Sequence, residues 1–398
     1  MGNADAAPTR LDRGIVATGV LNGGRMRILL AGLISLALAA PGAALAASGD
    51  DANLARQASI ATATAATAAR DQAALTQVVS AQQFPLAVYV IDGREHYGAA
   101  KGPLDVDTPM RIASNTKTFV SATVLRLWEQ HKIDLDAPIK GLIAPEDDRL
   151  LRADGYDTGR ITVRHLLSHS GGLYDLGSDP RFFAQFKANN NERLTRTDQI
   201  RMMTEYGDPL GAPGVKFHYS DGDYIILGEI VERLTGLNLA KAVRRELGLD
   251  RLGLTNAWWE RFEPRPAGAH PGARHFLGDT DVTDIDPSMD LYGGGGLVMS
   301  PRDLATFFKA LFEGRVFHSK KTLETMFWQG PHEGADGYRF GIFVKHTPAG
   351  DIWWHSGFWG TWAGYAPSTG IALAAFSDHQ MGVKPALPAL EGFFFPKR

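Results

Sequence analysis

From Leu86 to Ile91 every position is apolar or aromatic, and so short and continuous a run predicts a buried strand. Asp92-Gly93 follows it as a hairpin signal, which starts a second strand near Arg94. Before this hairpin, Ala74, Leu75, Val78 and Val79 share one side of a helix predicted over 71–82. From Thr116 to His131 the rhythm turns helical, with Phe119, Val120, Val124, Leu127 and Trp128 as its apolar positions. Helical patterns then dominate from Thr162 to about Leu252. Thr162 is placed to cap the segment carrying Leu166 and Leu167. Ile226, Leu227, Ile230, Val231 and Leu234 form one broad face over Tyr224 to Leu234, with Gly236 as C-cap. Ser300-Pro301-Arg302-Asp303 reads as a helix start: a cap, a proline at the first position and an acid at the positive end. The rhythm then becomes strand-like over Tyr338–Lys345, Asp351–His355, Thr361–Ala366 and Ile371–Ser377, separated by Gly, Pro and Ser. A hairpin at the start, strands at the end and helices between predict a mixed α/β (α+β) fold. Its antiparallel sheet is built from both chain ends and flanked by helices, with a mainly helical insert.

Composition adds exclusions. The chain has 398 residues, 44% hydrophobic and 21% charged, with a formal net charge of −3. That is a globular composition with no basic excess that would point to nucleic acid. It contains no cysteine. Disulfides, thiolate metal sites, cysteine nucleophiles and cysteine-linked lipid anchors are therefore excluded, and covalent catalysis must use another side chain.

The N-terminal residues read as a targeting segment. Arg25 and Arg27 precede an apolar stretch from Ile28 to Leu38, Pro41-Gly42 breaks it, and Ala44-Leu45-Ala46 has the form of a cleavage site. Residues 1–46 are expected to be a signal peptide, with Met26 as a possible true start. Residues 47–70 read as an Ala/Thr-rich linker and residues 71–398 as the folded domain. The expected location is periplasmic or secreted.

The candidate chemistry begins at Ser114-Asn115-Thr116-Lys117. Residues three apart share a helix face, so Lys117 would hold its amine beside the Ser114 hydroxyl. A serine is a poor nucleophile until a neighbour takes its proton, and a buried lysine of depressed pKa suits that task. Read alone, the four residues describe a helix cap followed by a surface lysine. They are joined by Tyr219-Ser220-Asp221 about a hundred residues later and by His355-Ser356-Gly357 on a late strand.

In this order and spacing the motifs resemble the penicillin-recognising serine hydrolases, the family of class C β-lactamases, D-alanyl-D-alanine carboxypeptidases, D-aminopeptidases and esterases. Ile133-Asp134-Leu135-Asp136-Ala137-Pro138, His165 to Leu173, Pro213-Gly214 and Gly295-Gly296-Leu297 extend the likeness over about residues 80–380. The resemblance implies Ser114 as the nucleophile, Lys117 as its proton partner and Tyr219 as general base, its phenol lowered by nearby positive charge. It places His355 at the head of the family's K-T-G or H-x-G motif. It assigns the oxyanion hole to the backbone N–H groups of Ser114 and Phe358. Asp221, Ser356 and Gly357 would contact substrate, and Trp359 and Trp362 could line an apolar acyl pocket. No metal or organic cofactor is implied.

Two departures bear on substrate. Asp221 stands where the family often has Asn, and His355 where most β-lactamases have Lys. A neutral histidine weakens the hold on a β-lactam carboxylate. The implied activity is cleavage of a D-amino-acid amide, short peptide or β-lactam, with a carboxylesterase as the alternative and a non-catalytic penicillin sensor behind both. There is no G-x-S-x-G elbow. His169 reads as a structural histidine, His270 and His275 as loop residues rather than metal ligands, and Gly293 to Gly296 as close backbone packing near the cleft.

Overall fold

The computed structural model describes residues 69–396, together with Asn53, Arg56 and Gln57. The leader and nearly all of the Ala/Thr-rich segment lie outside the described residues. Among the described residues, no helix is long and apolar enough to cross a membrane.

The first described helix, α1, covers residues 69–80. The main sheet has six strands: β1 (Leu86–Asp92), β2 (Glu95–Lys101), β3 (Phe343–Thr347), β4 (Gly350–Gly357), β5 (Thr361–Ala366) and β6 (Ile371–Phe376), in the spatial order β2-β1-β6-β5-β4-β3. Every pairing is antiparallel. The first and last strands of the chain are neighbours in the middle, so the sheet is built from both chain ends as the pattern predicts.

The uninterrupted apolar run of β1 has a simple cause: both faces of the sheet are covered. Ala87, Tyr89 and Ile91 face the larger core, and Leu86, Val88 and Val90 face a smaller one with Leu75, Val79, Leu390 and Phe394. Successive side chains point to opposite faces, so a strand covered on both sides has no polar position to spare. Asp92 pairs with Glu95, which makes the hairpin loop Gly93-Arg94, one residue later than Asp92-Gly93 suggests. Gly93 has φ +60° and Arg94 a negative φ, as a type II′ turn requires.

Helix α2 (Thr116–Glu129) is buried on every side from Thr116 to Leu127, although its sequence reads as one-sided. Two of its buried hydroxyls find carbonyl acceptors, Thr123 at Phe119 within the helix and Thr118 at Gly341 across the fold, whereas Ser121 Oγ has no partner. Helix α3 (Asp221–Thr235) starts three residues earlier than the apolar pattern shows, because Ser220 caps it by accepting from Gly222 N–H, and Gly236 closes it in the left-handed conformation. Helix α4 (Leu239–Leu247) follows. The short helix Val163–Leu167 has the expected Thr162 cap, completed by the His165 side chain. Helix α5 (Pro301–Phe312) has the Ser300 cap read from sequence and packs on the sheet, where Ala372 and Ala374 of β6 are small enough to let it approach. A second sheet of Met110–Arg111, Leu297–Met299 and Trp258–Trp259 lies beside the start of α2.

The strand expected from Tyr338 begins only at Phe343. Gly341 has φ +74°, and its backbone lies against α2, where an added Cβ would come within 2.6 Å of Ser121 Cβ and 2.9 Å of the Lys117 carbonyl oxygen. Extended geometry cannot pass through that contact. Gly341→Ala is expected to destabilise the fold by about 2–3 kcal/mol, from left-handed strain plus overpacking. Thermal melting checks this, and a melting temperature equal to that of the wild type would contradict the contact.

Candidate active site

Ser114 sits in a single 3₁₀ turn, Ala113–Asn115, that leads straight into α2. Ala113 has φ +45°, an uncommon conformation for a residue with a Cβ, held here next to the serine. Asn115 fixes the turn from below. Its Nδ2 donates to the Ile112 carbonyl at 3.2 Å and to Thr361 Oγ1 at 3.0 Å, while the Thr361 hydroxyl donates to the same carbonyl at 3.1 Å. Gly357 presses against that carbonyl as well, leaving no room there for a side chain. The end of β4 and the start of β5 are thereby stitched to the serine turn. Asn115 and Thr361 carry no motif of their own, and only their meeting across 246 positions gives them a role.

At the second position of α2, one turn after Ser114, Lys117 is fully buried. Its Nζ donates to Ser114 Oγ at 2.9 Å, to Asp221 Oδ1 at 2.5 Å and to the Gly294 carbonyl at 2.8 Å. Three acceptors meet the three protons of an ammonium. Burial opposes that charge, but the Asp221 carboxylate and the Tyr219 phenol outweigh it and hold Lys117 above its ordinary value. This corrects the expectation of a depressed lysine. The earlier start of α3 explains it, since Asp221 falls on the first helical turn, facing the amine.

The four-glycine run is close backbone packing, as read from sequence, and it also supplies the third acceptor of Lys117. Side chains added at Gly293 or Gly296 would strike the Tyr224 carbonyl or the Trp259 ring.

Tyr219 is half-buried on the cavity side with its ring 5.0 Å from Lys117 Nζ, and its hydroxyl lies within hydrogen-bonding reach of both Lys117 and Ser114. Burial pushes the phenol up to about 12, with the lysine charge pulling the other way and Asp221 adding to the rise. The lowered phenol expected from sequence is therefore corrected too: in the resting site Tyr219 is protonated. His355, on β4, is fully buried 6.3 Å from the Tyr219 ring. Burial and the Lys117 charge push it down to about 3, so it is a neutral imidazole over the whole working range.

Ser114, Tyr219 and Asp221 open onto one cavity of about 590 Å³, with Asp175, Asp179, Phe183, Lys187 and Phe358 also on its wall. Asp175 accepts the Asp221 amide at 3.0 Å. Burial and the neighbouring Asp221 charge push its carboxyl up to about 6. Asp175 is not marked by any sequence motif; its place two residues after the His165–Leu173 segment is the available signal.

Two aromatic assignments do not hold. Trp359 is buried against the Arg111 guanidinium and the His275 ring and does not line the cavity beside Ser114. Trp362 lies on the opposite face of the sheet from His355, packed on Phe394 in the smaller core. Strand alternation sends it there. With Ser356 and Gly357 it borders a separate cavity of about 380 Å³, which meets the first at Phe358 and Gln380. His275 accepts the Arg111 amide, an ordinary buried contact.

A family model described as Beta-lactamase matches residues 37–389. The chain belongs to the beta-lactamase family. A D-stereospecific amidohydrolase from Streptomyces sp. superposes with a TM-score of 0.71 at 26% identity, covering 81% of this chain and 98% of that one. The D-amino acid amidase from Ochrobactrum anthropi SV3 shares the fold with a TM-score of 0.66 at 23% identity, over 81% and 99% of the two chains. A teichoic acid D-alanine hydrolase of Staphylococcus aureus (strain MRSA252) is 24% identical over 251 residues, 62% of this chain and 57% of the relative. The chain thus spans little more than half the length of that relative.

Proposed function

We propose that this family member is an exported serine hydrolase that forms an acyl-enzyme on Ser114 and cleaves amide or ester bonds of D-amino-acid derivatives with a free α-amino group. The observation that carries the reading is the Lys117 amine, placed at once on Ser114 Oγ and Asp221 Oδ1. Export is supported by the segment ending at Ala46.

Ser114 attacks the carbonyl, and the oxyanion is received by the backbone N–H groups of Ser114 and Phe358. A resting ammonium has no lone pair. Lys117 therefore takes the Ser114 proton as it passes one of its own to Asp221, Tyr219 gives its phenol proton to the leaving group, and the proton held on Asp221 returns through Lys117 to the phenolate. Water then releases the acyl group, and the site returns to its starting protonation.

The cavity wall carries Asp175, Asp179 and Asp221 against one exposed lysine, Lys187; Asp179 is paired with Arg181 at 2.6 Å and Asp221 with Lys117 at 2.5 Å, so Asp175 is the acid on the wall that a substrate cation would meet. His355 offers no positive charge to a substrate carboxylate. Gly177 leaves open the space beside Asp221 Oδ2, which a side chain would fill. Such a wall suits an ammonium. The D-amino acid amidase and the D-alanine hydrolase are named for substrates of that kind.

The test is a panel of D-alaninamide, a D-Ala-D-Ala peptide, nitrocefin and p-nitrophenyl butyrate on the wild type and Ser114→Ala. Turnover of the amine-bearing compounds that is lost in Ser114→Ala supports the reading; turnover of the butyrate alone would replace it with a carboxylesterase. Asp175→Asn is expected to raise KM for D-alaninamide about tenfold, an exposed-to-partly-buried charge pair's worth, with kcat little changed. In the wild type, kcat/KM for the same amide should fall as pH drops through about 6, where Asp175 takes up a proton.

A further inference from the structure

His169 lies behind Tyr219, away from the cavity, and the reaction sequence above makes no use of it. It is fully buried and holds φ +53°, a conformation that costs a histidine energy. What it grips explains why that conformation is kept. The carbonyl of His169 accepts the His218 amide at 2.8 Å, and its Nδ1 accepts the Ser220 amide at 3.3 Å. These are the residues immediately before and after Tyr219. The imidazole itself packs on the Tyr219 ring, with centroids 4.3 Å apart. One residue therefore holds Tyr219 by its backbone on both sides and by its ring.

The imidazole is held in turn. Asp223, fully buried on the first turn of α3, shares a hydrogen bond with Nδ1 at 2.8 Å. Burial leaves both partners uncharged, with the carboxyl pushed far up and the imidazole far down. Tyr224, Tyr338 and Phe217 close round the ring at 5.0, 4.8 and 6.0 Å. A neutral dyad in an aromatic box is rigid and adds no charge to the Lys117–Asp221 pair beside it.

We propose that His169, backed by Asp223, is a positioning residue that sets the Tyr219 hydroxyl against Ser114 and Lys117. This rests on the reading of Tyr219 as a proton carrier. Displacement of about 1 Å at a reacting group can cost on the order of a hundredfold in rate, so a clamp of this kind has a measurable effect.

The experiment is a double-mutant cycle between His169 and Tyr219, read as kcat and KM on the best substrate of the panel. His169→Gly removes the side chain without adding backbone strain, since glycine accepts a positive φ. It is expected to lower kcat about 30- to 100-fold with KM within threefold. In a Tyr219→Phe background the same substitution should lower kcat less than threefold, because the group it positions is gone. The fall in melting temperature should be the same in both backgrounds. His169→Asn tolerates the left-handed conformation, returns an acceptor near the place of Nδ1, and should recover most of the lost kcat. Equal losses of kcat in the two backgrounds, or a change confined to KM, would overturn the proposal. If His169→Gly does not fold, Asp223→Ala, which removes the partner of Nδ1, runs the same cycle with the same expected non-additivity. A Tyr219→Phe protein with unchanged kcat would instead refute the proton path, and the positioning role with it.

Discussion

Ser114→Ala is expected to lose hydrolysis by a factor of at least about 10⁴ and to lose labelling by a fluorophosphonate completely. Removing a nucleophile that acts as part of a unit typically costs about as much as removing the whole unit, on the order of 10⁶ in kcat. The residual rate reflects binding and oxyanion donors, which survive the substitution because they are backbone N–H groups. The hydroxyl accepts only one of the three Lys117 protons, and the other two keep their partners at Asp221 and Gly294. Stability should therefore change by no more than about 1 kcal/mol, the net worth of one hydrogen bond. Kinetics, intact-protein mass spectrometry after labelling and thermal melting measure the three quantities. Hydrolysis surviving in Ser114→Ala would remove the serine from the chemistry, whatever its neighbours.

Lys117→Met separates activity from stability in a second way. The lysine is wholly buried, whereas its Asp221 partner keeps about a quarter of its side chain exposed. Breaking a buried pair from one side costs about 3–5 kcal/mol when the remaining charge is sealed in. Asp221 can draw water from the cavity, so a smaller cost, about 1–3 kcal/mol, is expected here. Catalysis should fall about 10³- to 10⁴-fold, with the loss of both proton transfer and the charge beside the reacting oxygen. Adding Asp221→Asn to Lys117→Met removes the uncompensated carboxylate. The double variant should regain part of the melting temperature while remaining as inactive as the single one. Urea unfolding beside initial-rate kinetics distinguishes the effects. Parallel recovery of both would mean that the lysine serves the fold alone.

The architecture was largely legible because its signals are local. The run over β1, the caps Thr162 and Ser300, the C-cap Gly236 and the strands over 361–366 and 371–376 each depend on a few adjacent residues. The Ser114–Lys117 pair was legible for the same reason: three positions on a helix put two side chains together. The electrostatics were not. The state of Lys117 depends on Asp221, and Asp221 faces it only because α3 starts at the Ser220 cap, ahead of the apolar pattern that first marks the helix. Tyr219 followed the same error, since its proton is governed by burial as much as by the lysine. The tryptophans near His355 failed at the level of strand faces, where a neighbour in sequence is on the other side of the sheet. Asn115, Thr361 and Asp175 were invisible for want of any local pattern.

The strand order also has a consequence for how the protein is made. β6, near the end of the chain, lies between β1 and β5, so it is a central strand of the sheet. Until residues 371–376 have left the ribosome, β1 and β5 each present a bare row of backbone N–H and C=O groups. Such rows invite pairing with other chains. A product stopped short of Ile371 should therefore aggregate rather than fold into a smaller active body. Synthesis and folding are thereby placed in sequence: the sheet stays open at its middle until β6, the sixth of its six strands in chain order, is inserted.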